Sequence, residues 1–370
     1  MNLCRKMRVN PFSRPAESRR PDKILTTSPF NRYTSGAAVL CALLLNTSCL
    51  QEQEISAAAQ PAAPLAAPLA AVNGSVATTP VTPLAVTPPP AAPTPVEPAE
   101  WNYPGPRPLP GAILPGKRII AFYGNLLSTR MGILGELPPE EMLAKLDEEV
   151  ANWTKADSLT PVQPALHVIV VTAQGHPSAG GKYRLRMKHK MIDDVLELAR
   201  QRDAIVFLDV QVGHSTLQEE LPQLEKYLRL PNVHLGIDAE FSMKNGNVPG
   251  RSIGTFDAAD INYATGYLAG LVKAHQIPPK LLIVHRFTQR MITNYENIAL
   301  RPETQVVMHM DGWGSPALKK DTYRRFIVKE PVQFTGFKLF YKNDLRDSPR
   351  MMAPEEIITL EPSPMYIQYQ

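Results

Sequence analysis

Asp238 and Glu240 are the two residues of this chain best suited to act together chemically. They end the run Val233-His-Leu-Gly-Ile-Asp-Ala-Glu240, whose Val, Leu and Ile residues have strand character. Side chains alternate along a strand, so positions two apart share a face. Two carboxyl groups held together in a partly desolvated place drive their pKa values apart. One then keeps its proton near neutral pH and serves as a general acid, while its neighbour stays charged. Cleavage of a glycosidic bond uses a pair of this kind.

The same alternation selects polar side chains at the ends of other apolar runs. These are Tyr123 and Asn125, Asp209 and Gln211, His285, His309 and Asp311, Lys338, and Gln368. Glu136 adds a carboxylate after the first run, beside Gly132 and Gly135, which allow close backbone approach to a ligand. Trp313, Phe241 and Tyr341 stand just past run ends, where rings can stack on sugar faces. Each has a plainer reading as well. Asp311 before Gly312 suits a turn, Lys338 suits a buried counter-ion for Asp209 or Asp238, and a single histidine is often only a hydrogen-bonding group. Together they point to a site, because so many ionisable groups after apolar runs are costly to desolvate unless paired or used.

Eight β-like segments position these residues. They read Ile119–Asn125, His167–Gln174, Ala204–Gln211, Val233–Glu240, Leu281–Phe287, Gln305–Asp311, Phe334–Phe340 and Tyr366–Gln370. Helical spacing fills the gaps, over Pro139 to Trp153, Met187–Arg200, Leu217–Leu228, Phe256–Ala274 behind a Thr255 cap, Thr288–Leu300, Ala317–Val328 and Pro354–Leu360. Eight β/α units in sequence predict an α/β chain of the (β/α)8 TIM-like barrel class, with chemistry at the C-terminal ends of the strands. An open doubly wound sheet also alternates strands and helices, but its Gly-rich phosphate turn does not occur here.

Composition divides the 370 residues. Residues 1–49 read as a signal peptide: a basic region, the apolar run Gly36 to Leu45, then Leu45-Asn46-Thr47-Ser48-Cys49. The apolar run is too short to span a bilayer, which needs about 20 residues. Residues 50–110 are mostly Ala, Pro, Thr and Val and read as a disordered, polyproline-like linker, leaving 111–370 for the barrel. The three cysteines, Cys4, Cys41 and Cys49, all precede the linker, so the barrel has no disulfide, thiol nucleophile or cysteine metal site. Net charge is +4 and owes much to the N-terminal basic cluster, which gives no nucleic-acid footprint on the barrel.

Three resemblances sharpen these expectations. The end of the Leu45–Cys49 segment resembles the lipobox of bacterial lipoproteins, with Asn46 where that pattern has Leu, which implies lipidation of Cys49 and a membrane anchor in the cell envelope. The Asp238-Ala-Glu240 segment is similar to the fourth-strand motif Asp-x-x-Asp-x-Asp-x-Glu of family 18 glycoside hydrolases, with Val233 and Gly236 at the two upstream acidic positions. By that resemblance Glu240 protonates the leaving oxygen and Asp238 orients a substrate N-acetyl group that acts as nucleophile. Finally, Phe122-Tyr-Gly-Asn125, Met131-Gly-Ile-Leu-Gly-Glu136, Ile237-Asp-Ala-Glu-Phe241, Val284-His-Arg-Phe287, Asp311-Gly-Trp-Gly314, Lys338-Leu-Phe-Tyr341 and Tyr369-Gln370 resemble an uncharacterised family of secreted bacterial proteins. That family has Asp-Pro-Glu-Trp and His-Gln-Phe where this chain has Asp-Ala-Glu-Phe and His-Arg-Phe.

The resulting expectation is a surface-anchored, glycoside hydrolase-like barrel whose partner is a glycan or another small molecule, without a cofactor or metal. Two alternatives remain open. One is a non-catalytic barrel that binds glycan or a partner protein. The other is a metal-dependent hydrolase in which His285, His309, Asp311 and Asp209 converge on a divalent ion, with His176 as a further ligand.

Overall fold

The structure, a computed structural model, describes residues 101–370. The expected signal peptide, the expected lipidation of Cys49 and most of the Pro/Ala-rich stretch lie outside the described residues. Among the described residues no helix is long and apolar enough to cross a membrane.

Eight parallel strands form the core: β1 (Arg118–Gly124), β2 (Val162–Ala173), β3 (Ile205–Val210), β4 (Val233–Asp238), β5 (Lys280–Arg286), β6 (Thr304–Met310), β7 (Phe334–Leu339) and β8 (Tyr366–Tyr369). Each pairs with its sequence neighbours, and β1 pairs with both β2 and β8, so the sheet closes on itself. This is the (β/α)8 barrel expected from the sequence. All residues of β1, β3 to β8 are buried, as strands covered on both faces must be.

Two apolar clusters fill the two sides of that wall. The larger lies between the barrel and its helices, and includes Leu143, Leu146 and Trp153 of the helix Pro139–Ala156 and Ile261, Ala264 and Leu268 of the helix Ala258–His275. The smaller fills the lower lumen with residues such as Ile119, Phe207, Ile283, Val307 and Phe334. Trp101 and Tyr103 close that end, their rings packing on Phe334. Packing on the barrel thus includes Trp101 and Tyr103, which lie ahead of residue 110.

Two helical expectations are corrected. The helix after β4 begins at Ala258, and its cap is Asp257 rather than Thr255: Asp257 accepts from the Ala259 backbone N–H, and Asp260 accepts from the backbone N–H of Asp257. Thr288–Leu300 is not a helix. It forms short 3-10 turns at Gln289–Met291 and Tyr295–Asn297 around a two-residue strand that pairs with Phe256 and Asp257. The cause is the same aspartate, whose Oδ2 accepts from Thr293 Oγ1 at 2.7 Å and Asn294 Nδ2 at 2.6 Å, with Asn294 in the left-handed backbone region. Side chains that compete for hydrogen bonds outweigh the helical spacing of the apolar residues.

Candidate active site at the upper lumen

Asp209, near the C-terminal end of β3, is the hub of a buried polar cluster. Its Oδ2 accepts a 3.0 Å hydrogen bond from the Tyr123 hydroxyl of β1. Its Oδ1 lies 3.2 Å from His167 Nε2 of β2 and 3.3 Å from His285 Nε2 of β5. Neither approach is aligned as a hydrogen bond, and those three atoms have no hydrogen-bond partner among the described residues. From His285 the contacts run on: Nδ1 to Asp311 Oδ2 at 2.8 Å, then Asp311 Oδ1 to Lys338 Nζ at 2.8 Å. Lys338 Nζ sits 3.9 Å above the centre of the Tyr123 ring, a cation–π contact that closes the circuit.

Glycines make room for this crowd. A side chain at Gly236 of β4 would place its Cβ 2.4 Å from His167 Nε2 and 2.5 Å from Asp209 Oδ1, and one at Gly336 of β7 would come 2.6 Å from His309 Nδ1. Glycine inside a strand marks such close approach. His309 stands edge-on to His285, ring centres 5.2 Å apart. Below, His167 Nδ1 meets the Tyr366 hydroxyl at 2.6 Å, and Gln368 Nε2 donates to that hydroxyl at 2.8 Å.

The charges separate by depth. Burial opposes ionisation of Asp209 and Asp311, yet His285, joined at Asp311 by Lys338, holds both carboxyls well below the usual carboxylate range. Burial likewise opposes charge on His285, but Asp209 and then Asp311 outweigh it and push the imidazole up to about 10. His167 goes the other way, down to about 4, because burial dominates. Above these groups Glu240 is pushed up to about 8, by burial first and then by Asp238 and Asp311. Asp238 rises to about 7 through burial, with Asp209 and Asp311 adding against the pull of His285.

The chain leaves strand geometry sooner than expected. β4 stops at Asp238, and Ala239–Phe241 is a 3-10 turn, so simple alternation does not place Glu240. The turn itself does, since Asp238 Oδ1 accepts from the Glu240 backbone N–H at 3.0 Å. Asp238 Oδ2 also lies 3.5 Å from Gln211 Nε2. Glu240 remains partly exposed at the rim.

The cluster thus brings together Tyr123, Asp209, Gln211, Asp238, Glu240, His285, His309, Asp311, Lys338 and Gln368. Asn125 instead locks a turn, donating to the Ile169 carbonyl and accepting from Leu127 N–H. Glu136 pairs with Lys342 at 2.6 Å on the surface, and Trp313 lies under Arg346. Tyr341 faces the helix layer, where it donates to Glu149 and stacks on Tyr369. His176 is exposed.

His167 and Tyr366 escaped the sequence reading. The apolar pattern places the start of the second run at His167, whereas β2 starts at Val162 and carries His167 in mid-strand, facing inward with Ala165. The period-two pattern from Gln163 through His167 was the available signal. Two groups hold imidazole and carboxylate atoms within 4.8 Å of one another, His167 with Asp209 and His285, and His285 with His309 and Asp311. Surface cavities of about 380 and 190 Å³ lie elsewhere, one beside Ile253, Arg290 and Phe326 and one beside Tyr103, Phe334 and Pro362. Comparison of the sequence with protein-family models and with curated proteins finds no match to either.

Proposed function

We propose that this barrel is a glycoside hydrolase acting on a polysaccharide or cell-wall glycan, with Glu240 as general acid and Asp238 as its helper. One observation carries the reading: Glu240, partly exposed at the rim, is held against Asp238 by the 3.0 Å bond from its own backbone N–H, where burial and the neighbouring acids Asp238 and Asp311 favour its protonated form. Environments that push paired carboxyls apart assign the acid and the base.

The steps follow from position. Glu240, at the mouth, donates its proton to the leaving glycosidic oxygen as the bond breaks, and its carboxylate then takes a proton from the water that adds to the anomeric carbon. Asp238, which His285 draws toward ionisation, carries the negative charge that steadies the positive charge developing on the sugar or on its N-acetyl group. Asp311 adds charge from below, held in place by His285 and Lys338. Tyr123, fixed by Asp209 and covered by Lys338, forms part of the floor. Export and anchoring through Cys49 would bring the barrel to envelope glycans, supported by the basic and apolar N-terminal runs.

The test is release of reducing ends from a panel of soluble and cell-wall glycans by the wild-type chain and by Glu240→Gln. The reading expects turnover that disappears in the variant while glycan binding persists. Full activity in Glu240→Gln would overturn it, and saccharide binding without turnover by the wild-type chain would replace it with a non-catalytic glycan receptor.

A further inference from the structure

We infer that His167, Asp209 and His285 form a binding site for one divalent transition-metal ion, zinc being the best fit, in the barrel lumen beneath Glu240. The spacing is the first ground. In a tetrahedral zinc site with metal–ligand bonds of about 2.0–2.2 Å, neighbouring ligand atoms stand about 3.3–3.5 Å apart. Asp209 Oδ1 lies 3.2 Å from His167 Nε2 and 3.3 Å from His285 Nε2.

Orientation is the second ground. These contacts are at ion-pair distance, yet His167 Nε2, Asp209 Oδ1 and His285 Nε2, all fully buried, have no well-aligned hydrogen-bond partner among the described residues. Buried polar atoms are rarely left so. A single ion shared by all three, displacing the proton that Asp209 and Asp311 otherwise favour on His285, resolves the three deficits together.

The outer contacts are the third ground. Each far atom is already engaged: His285 Nδ1 by Asp311 Oδ2 at 2.8 Å, Asp209 Oδ2 by the Tyr123 hydroxyl at 3.0 Å, and His167 Nδ1 by the Tyr366 hydroxyl at 2.6 Å. Metal-bound imidazoles are oriented in this way, with the second ring nitrogen held by a carboxylate or similar partner. Two imidazoles and a carboxylate suit zinc and its first-row neighbours rather than calcium or magnesium. The other candidate group, His285, His309 and Asp311, is less suited because Lys338 already places a cation 2.8 Å from Asp311. Gly236 guards the proposed site, since any Cβ there would fall within 2.5 Å of two of its three atoms.

The experiment uses the full chain with its three cysteines alkylated, so that thiolates cannot compete. After removal of metal by a chelator, the protein is titrated with Co(II), passed through a desalting column and examined by visible absorption and elemental analysis. One equivalent of cobalt should remain, with the intense bands of a four-coordinate ion. His167→Gln and Asp209→Asn should each lose both signals, Gly236→Ala should lose them with all three ligands still present, and His176→Gln should keep them. Occupancy of the wild-type chain below one-tenth, or bands that survive in His167→Gln, would overturn the site. Should the ligand variants not fold, X-ray absorption of the zinc-loaded wild-type protein decides: no imidazole scattering at the metal defeats the inference. These readings record occupancy and not glycan turnover, so this inference and the proposed hydrolase can fail separately.

Discussion

The lower and upper halves of the barrel lumen are built by the same strands and differ by a single pleat repeat. Moving two residues up six of the eight strands takes Ala121 to Tyr123, Ala165 to His167, Phe207 to Asp209, Ile283 to His285, Val307 to His309 and Gly336 to Lys338. Below that line the lumen is a mainly apolar plug, with His234 and Gln305 as buried, backbone-bonded exceptions, sealed by Trp101 and Tyr103. Above it nearly every inward side chain is ionisable or hydrogen-bonding, and all of these except Glu240 and Asp311 are almost wholly buried. The contrast shows that stability and chemistry are separated along the barrel axis. One half can tolerate costly charges because the other half supplies apolar burial.

Substitutions should respect that division. The largest effect on turnover is expected for Glu240→Gln, a loss of about 10²–10⁴-fold in kcat, the usual contribution of a general acid, with an unchanged unfolding curve. Phe207→Ala should do the reverse. It opens the fully buried lower plug and costs about 3–5 kcal/mol in urea unfolding, while activity per folded molecule holds. If Phe207→Ala removed activity without loss of stability, the separation would be wrong.

A double change sharpens the upper half. Lys338→Met leaves Asp311 with His285 as its only remaining cationic contact and should cost about 3–5 kcal/mol, as breaking a buried ion pair does. Adding Asp311→Asn removes the carboxylate left with only one of its two cationic contacts and should recover part of that loss. Strict additivity of the two changes in urea unfolding would show that the pair is not coupled.

The pH profile is a gentler probe. Glu240 must keep its proton to act, so activity should fall as pH rises through about 8. Asp238 should be charged, so activity should also fall as pH drops below about 7. A narrow bell for kcat/KM of the free enzyme is expected, reporting the pair rather than either residue alone. A profile flat from pH 5 to pH 10 would disconnect these carboxyls from the rate.

How much of this was legible in the sequence follows the same axis. All eight strands were readable, because each is a short apolar run closed by polar residues, and the upper-lumen groups were readable as those closing residues. His167 was not, because Pro164 interrupts the run and disguises the first half of β2. Glu240 was found for a reason that only half holds, since the strand ends before it and a turn hydrogen bond to Asp238 sets its place. The missing helix at Thr288–Leu300 was illegible for a different reason. Its apolar spacing is helical, but Asp257, more than thirty residues earlier in the chain, captures Thr293 and Asn294. Local pattern carries local structure well. It fails where a distant side chain offers the backbone a better partner.

The smallest predicted effect tests the edge of the comparison. Glu136 lies beyond β1 and pairs with Lys342, whose side chain is 71% exposed. An ion pair this wet contributes about 0–1 kcal/mol, and no contact ties it to the cluster around Asp209. Glu136→Gln should therefore leave stability within about 1 kcal/mol and turnover within about twofold. A tenfold fall in kcat/KM with unchanged stability would mean that the loop after β1 reaches the substrate. The catalytic region would then extend outward from the lumen, and the boundary between polar core and surface would have to be redrawn around Glu136.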